Sequence, residues 1–138
     1  MIYNKREYII IFYQNIWTKE RPIDEYFERL AIKDRAKILK YLGFLRENGD
    51  YINVQFIKHI KAKIWELKVD FSHNKYRLFY FIFIRKVIII LHIFRKKTEK
   101  TPKLEISIAE KRYNEVSNNK HIYEKKIIQT NEFSGIFS

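Results

Sequence analysis

Cysteine is absent from the 138 residues, glycine occurs 3 times, proline twice and methionine once. Without thiols there is no disulfide framework, no thiolate metal site and no cysteine nucleophile, and redox chemistry is not expected. So few glycines cannot build a phosphate-cradling loop, a dinucleotide fingerprint or a nucleophile elbow. The four histidines, His59, His73, His92 and His121, stand far apart, and no Asp/Glu cluster falls at ligand spacing, so neither a metal nor a cofactor is expected. Acids are scarce too: 16 Asp and Glu face 28 Lys and Arg, a net charge of +12. Such an excess on a small chain favours nucleic acid, ribosome or anionic membrane as partner. Long apolar runs are missing. The stretch 87–94 is flanked by Arg85, Lys86 and Arg95 and falls short of the ~20 residues a spanning helix needs. The run 8–13 is too short for a signal-peptide core and no small-residue cleavage site follows it, which makes the cytoplasm the expected location.

What is present is apolar surface. Apolar residues make up 46% and aromatics 17% of the chain, enough for one packed domain without staples. The chain is organised around residues 58–102, where three expected strands carry cations through apolar sequence. Period-two alternation puts Trp65, Leu67, Val69 and Phe71 on one side of the first and Glu66, Lys68 and Asp70 on the other. In the second, Tyr76, Leu78, Tyr80 and Ile82 oppose Lys75, Arg77, Phe79 and Phe81; neither face is wholly polar, which predicts an interior strand. The third alternates Val87, Ile89, Leu91 and Ile93 with Ile88, Ile90, His92, Phe94 and Lys96. A meander would gather Lys68, Arg77, His92 and Lys96 on one surface.

Before this sheet, Tyr8 to Phe12 predicts a first strand, led in by Lys5 and Arg6. Pro22, with Asp24 and Glu25 in the first turn, opens a short helix with Ile23, Phe27, Leu30 and Ala31 on one face and a poor cap at Arg21. A second helix starts near Asp34, turns Ile38, Leu42 and Leu45 inward and stops at Asn48-Gly49, with a loop to Ile57. Thr101-Pro102 reads as cap and first turn of a last helix, with Leu104, Ile108 and Tyr113 inward, ending near Asn118-Asn119. The expected division is a domain over 1–118 and a tail over 119–138, mobile or docking, because that stretch shows no clear period.

Two readings of the basic sheet residues stay open. Lysines and arginines on strands are commonly solvated, and a lone histidine in an apolar run is commonly a satisfied core residue. The alternative is a phosphate-binding surface, since a guanidinium among aromatics needs a partner and Glu66 and Asp70 are the only nearby acids. Without metal, RNA can be cut by attack of the 2′-hydroxyl on its own 3′-phosphate. That chemistry needs a base, a stabiliser for the phosphorane charge and an acid for the 5′-oxygen. The planar fork of Arg77 suits the stabilising role. Glu66, His92 or a lysine suit the proton transfers, and crowding of Lys61, Lys63, Lys68, Lys96 and Lys97 would make neutral amines more available.

The segments PIDEYFERL, RAKILKYLGFLRENGD, KHIKAKIWELK, YRLFYFIF, LHIF, KKTEKTPKLEI and AEKR, in this order, resemble the RelE/ParE toxin superfamily, closest to its phage-derived HigB-like branch. The resemblance runs from about Pro22 to Val116. It implies an α+β, compact microbial-ribonuclease-type fold: N-terminal strand, helical hairpin, antiparallel three-stranded meander and C-terminal helix. It further implies a type II toxin that cleaves mRNA on the ribosome, and a cognate helix-turn-helix antitoxin. Carried over by position, Arg77 matches the phosphate-binding arginine and Lys96-Lys97 the second cationic contact, with Lys61 in the basic entry to the sheet. The expected catalytic set is Arg77, Lys68, Lys96, His92 and Glu66, and the expected RNA contacts are Lys61, Lys63, Lys97 and Lys100. This chain departs from the branch where Ala62 and Ile93 stand for glycine and Lys68 for arginine. The alternative function is a non-catalytic ParE-like toxin, or a basic module that binds nucleic acid or protein.

Overall fold

A computed structural model describes residues 7–49 and 53–134. Lys5, Arg6, part of the 49–57 loop and residues 135–138 lie outside them. The fold is α+β, a mixed five-stranded sheet with four helices, in the order β1 (Ile9–Phe12), α1 (Pro22–Glu28), α2 (Ile32–Asn48), β2 (Ile57–Lys61), β3 (Ile64–Phe71), β4 (Asn74–Ile84), β5 (Val87–Arg95), α3 (Lys103–Asn118), α4 (Lys120–Ser134). The sheet order is β1-β5-β4-β3-β2. β2 to β5 form an antiparallel meander, and β1 joins β5 in parallel.

The meander therefore has four strands where three were expected. β2 is not among the three expected strands because Lys58, His59 and Lys61 leave only Ile57 and Ile60 as its apolar signal. β4 is the interior strand its sequence predicts, with every residue from Tyr76 to Phe81 buried. Simple alternation fails in β5. Phe79 pairs with His92 but Tyr80 pairs with Ile90, so Leu91 is an extra residue. This β-bulge turns Ile89 to the side of Phe81, the side that also carries His92.

The two sheet faces are covered differently. On the face of Leu67, Val69, Tyr76 and Leu78 lies the α1–α2 hairpin, with Ile23, Ile38, Leu42 and Leu45 buried. Asp34, in the first turn of α2, accepts hydrogen bonds from the hydroxyl of Tyr76 and the amide of Asn74, 3.0 Å for the latter. Burial and this carboxylate push the Tyr76 phenol up to about 12. Arg21 supplies no cap, as its side chain predicts, and Ala31 is exposed at the start of α2 instead of packing inward. The opposite face receives α3 through Ala109 and Val116, with Tyr113 edge-on to Phe81 at 4.8 Å. Leu104 is 69% exposed, contrary to the expected inward face. Thr101 does not cap α3 either, since Pro102 holds that position and no side chain bonds the free amides. The stretch from Lys120, read from sequence as a mobile or docking tail, is α4. It buries Tyr123 and Ile127, one helical turn apart, and the Tyr123 hydroxyl donates to the carbonyl of Gln14 at 3.0 Å.

All three meander turns are two residues long, and in each the first residue has positive φ without being glycine: Ala62 at 50°, Ser72 at 58° and Arg85 at 39°. Each is a left-handed conformation that costs an L-residue roughly 1 kcal/mol. The glycines serve elsewhere. Gly43, inside α2, has open space where a Cβ would go, whereas a Cβ on Gly49 would stand 2.7 Å from the ring of Tyr8. Gly49 ends α2 with φ of −49°, so it serves the close approach of Tyr8 and not a left-handed cap. The two positions predict opposite signs. Gly43→Ala should raise stability by about 1 kcal/mol through helix propensity, and Gly49→Ala should lower it by more than about 1 kcal/mol, both measurable by denaturant unfolding.

Candidate nucleic-acid interface

Strand register brings part of the expected site together. Lys68 on β3 lies directly opposite Arg77 on β4, and Glu66 lies opposite Phe79, which in turn faces His92 on β5. Arg77 is 5% exposed and does find an internal partner: its Nη1 donates to Asp70 Oδ1 at 2.7 Å and to the carbonyl of Tyr76 at 2.9 Å, while its buried Nε has none. Asp70 itself is 60% exposed, so the pair joins a buried cation to a surface carboxylate. Lys68, half-buried, adds a second cation across the ladder, where like charges oppose each other. Glu66 is buried and accepts one long hydrogen bond, 3.5 Å, from the hydroxyl of Thr101.

His92 is held from two sides by α3. Its Nε2 lies 3.0 Å from Glu105 Oε1, and its Nδ1 lies 3.2 Å from Arg112 Nη1. A guanidinium only donates, so Nδ1 accepts and Nε2–H donates to Glu105, which defines a neutral ring. Phe94 stacks on that ring at 5.5 Å. Burial, with the charge of Arg112 adding and Glu105 opposing, sets the His92 pKa below its ordinary value.

The remaining cations form a rim. Lys96 lines two cavities at once. One of about 710 Å³ is shared with His73, Lys75, Arg95, Lys97 and Glu99, and one of about 360 Å³ with Lys58, His59, Lys100, Thr101 and Ile106. Lys97 thus faces the first cavity and Lys100 the second. Lys61 pairs with Glu110 of α3 at 2.8 Å, and Lys63 is exposed in the β2–β3 turn, lining neither cavity. Sequence reasoning missed Lys58 and His59 because β2 was missed, and Lys75 and Arg95 because nothing marks strand ends as cavity walls. Among the described residues no three His, Asp or Glu groups are placed to hold a metal ion, and no helix is long and apolar enough to cross a membrane.

Residues 25–114 match the family described as Phage derived protein Gp49-like (DUF891), about two thirds of the chain. The chain belongs to this phage-derived family, a RelE/toxin-like family of toxin–antitoxin systems. A search of curated proteins finds no match.

The His92 geometry carries a pH signature. Its folded pKa lies below the unfolded value, so the stabilisation is complete above about 6.5 and is lost as pH falls below that value, where the unfolded chain takes up the proton first. His92→Gln should flatten this component of the stability-against-pH curve measured by denaturant unfolding. An unchanged slope would mean that other groups generate it.

Proposed function

We propose that the chain is the toxin of a type II toxin–antitoxin pair, of the HigB-like branch and the RelE-type ribonuclease fold, acting as a metal-independent endoribonuclease on mRNA at the ribosome. The observation that supports this most is the juxtaposition of Lys68 and Arg77 on one sheet face, with Lys96 beyond them between two basic cavities. In this reading Asp70 occupies the place of a substrate phosphate. It is an exposed carboxylate that can turn into solvent and yield Arg77 to the phosphodiester anion, whose charge grows in the phosphorane. Glu66 accepts the 2′-hydroxyl proton, Arg77 and Lys68 stabilise the phosphorane charge, and Lys96 protonates the leaving 5′-oxygen. Lys61, Lys63, Lys97 and Lys100 hold the RNA backbone. His92, already engaged by Glu105 and Arg112, positions β5. The partners are mRNA, the ribosome and a cognate helix-turn-helix antitoxin.

The burial of Arg77 and its bond to Asp70 favour a second reading, a non-catalytic ParE-like toxin. Primer extension on total RNA after induction separates the two, because cleavage creates internal 5′ ends. Arg77→Ala should lower cleavage by roughly 10²–10³-fold and relieve growth arrest; it unpairs the exposed Asp70 carboxylate and the Tyr76 carbonyl, and denaturant unfolding checks that the variant keeps its fold. Asp70→Ala should remain toxic. Arrest without new 5′ ends, or equal toxicity from Arg77→Ala, would remove the ribonuclease reading.

Contacts to several phosphates also fix a salt response. Affinity for RNA or ribosomes, followed by filter binding, should fall roughly tenfold or more between about 50 and 200 mM salt. A flat response would point to a protein target.

A further inference from the structure

The chain carries two tryptophans, and they are held in opposite ways. Trp65, on β3, is half-buried and meets the ring of His59 at 4.8 Å. Trp17, between β1 and α1, is 65% exposed. A lone exposed apolar side chain is common. What sets Trp17 apart is the turn that holds it and the charge around that turn. The Asn15 side chain accepts from the amides of Trp17 at 2.8 Å and Thr18 at 3.0 Å. The Asn15 backbone closes the turn, donating to Glu20 at 3.0 Å and accepting from Lys19 at 2.8 Å. Ile16, next to Trp17, is buried, and its amide donates to the hydroxyl of Tyr123 at 3.3 Å. Lys19 has a φ of 70°, a left-handed conformation. The backbone on both sides of Trp17 is thus fixed while its side chain stands in water.

Three cations gather at this turn. Lys19 and Arg21 follow Trp17 in the chain, and Lys126 reaches the turn from α4. Lys126 Nζ donates to Gln14 Oε1 at 2.6 Å, and Gln14 Nε2 donates to the Lys19 carbonyl at 3.3 Å. Burial first, and then the charges of Lys19 and Arg21, hold the Lys126 ammonium below its ordinary value. The nearby acids are engaged elsewhere. Asp24 pairs with Arg21 at 3.2 Å, and Glu20 acts on Arg112 of α3. Among the described residues Lys19 and Lys126 have no carboxylate within ion-pair distance.

We propose that the Trp17 turn is a second RNA contact, separate from the Lys96 cavities, at which Trp17 stacks on an unpaired base and Lys19 and Lys126 hold the adjoining phosphates. A flat π-face beside uncommitted cations suits single-stranded nucleic acid, because every base offers a face and every link a charge. A folded protein partner would require apolar surface around the ring, whereas Thr18, Lys19 and Glu20 beside it are exposed and polar. A duplex fits less well, its bases being stacked already. The contact rests on the reading of the chain as an RNA-acting toxin, yet none of its residues lines a Lys96 cavity. Trp17 also precedes the residues 25–114 that match the family.

The test follows Trp17 by fluorescence in the full chain carrying Trp65→Phe, which leaves it the sole tryptophan. The probe is a single-stranded 2′-O-methyl RNA oligonucleotide, which lacks the attacking hydroxyl and cannot be cut. A fluorescein label on it gives the affinity of variants without Trp17. Should Trp65→Phe unfold, the difference between the unaltered chain and Trp17→Phe carries the same signal. The expected results are saturable quenching, a roughly tenfold loss of affinity in Trp17→Leu, and little loss in Trp17→Phe. Lys19→Gln and Lys126→Gln should each reduce the salt slope by about 0.7. The duplex of the same sequence should leave Trp17 unquenched. Binding that is lost in Arg77→Ala but equal in Trp17→Leu, unchanged Trp17 emission with RNA bound, or equal quenching by polyglutamate would overturn this contact alone. Absence of RNA binding would overturn it together with the ribonuclease reading, whereas Trp17-dependent binding without cleavage would remove that reading and support the contact.

Discussion

One guanidinium determines where the helical layer above the basic face sits. Arg112 of α3 donates to the carbonyl of Leu91 at 2.9 Å, at the bulge of β5, and to the ring of the adjacent His92. It also lies over the ring of Tyr13, 5.4 Å from its centre, while the Tyr13 hydroxyl donates to Glu115. Strand β5, the end of β1 and helix α3 thus meet at a single side chain. Residues 96–102 connect β5 to α3, so the placement of Lys96, Lys100 and Thr101 follows from that junction. The basic rim is a consequence of how α3 is pinned.

The arrangement beneath the rim is electrostatically uneconomical as a purely structural feature. Lys68 and Arg77 face each other across a ladder, a like-charge pairing that costs on the order of 0.2–1 kcal/mol, and one exposed carboxylate offsets it. A hydrophobic pair at these positions would serve the core better. Under the proposed function this cost has a setting, because a surface that binds polyanions must keep cations where the core alone would not.

Much of the scaffold was legible in the sequence, since burial repeats with a period. Leu67, Val69, Tyr76 and Leu78 fall on the face their alternation assigns, and Ile38, Leu42 and Leu45 line the inner side of α2. The misses are of one physical kind. The bulge at Leu91 resets alternation without a local sequence mark, and among the described residues α4 buries Tyr123 and Ile127, too few positions to show a period. The candidate residues could be named from the sequence, but not their geometry. Nothing near Asp70 signals that it meets Arg77 seven positions on, and nothing near His92 announces Glu105 and Arg112 from a helix not yet begun.

The glycine-free hairpins have a consequence beyond the turns themselves. Ala62, Ser72 and Arg85 are surface positions, all exposed, and none belongs to the buried face around Arg77. Each corner withholds roughly 1 kcal/mol that a glycine there would return, a margin open to single-residue replacement. The chain is free to accumulate change at its charged face while that margin lasts, because three single-residue replacements, remote from the chemistry, stand ready to restore what such change removes.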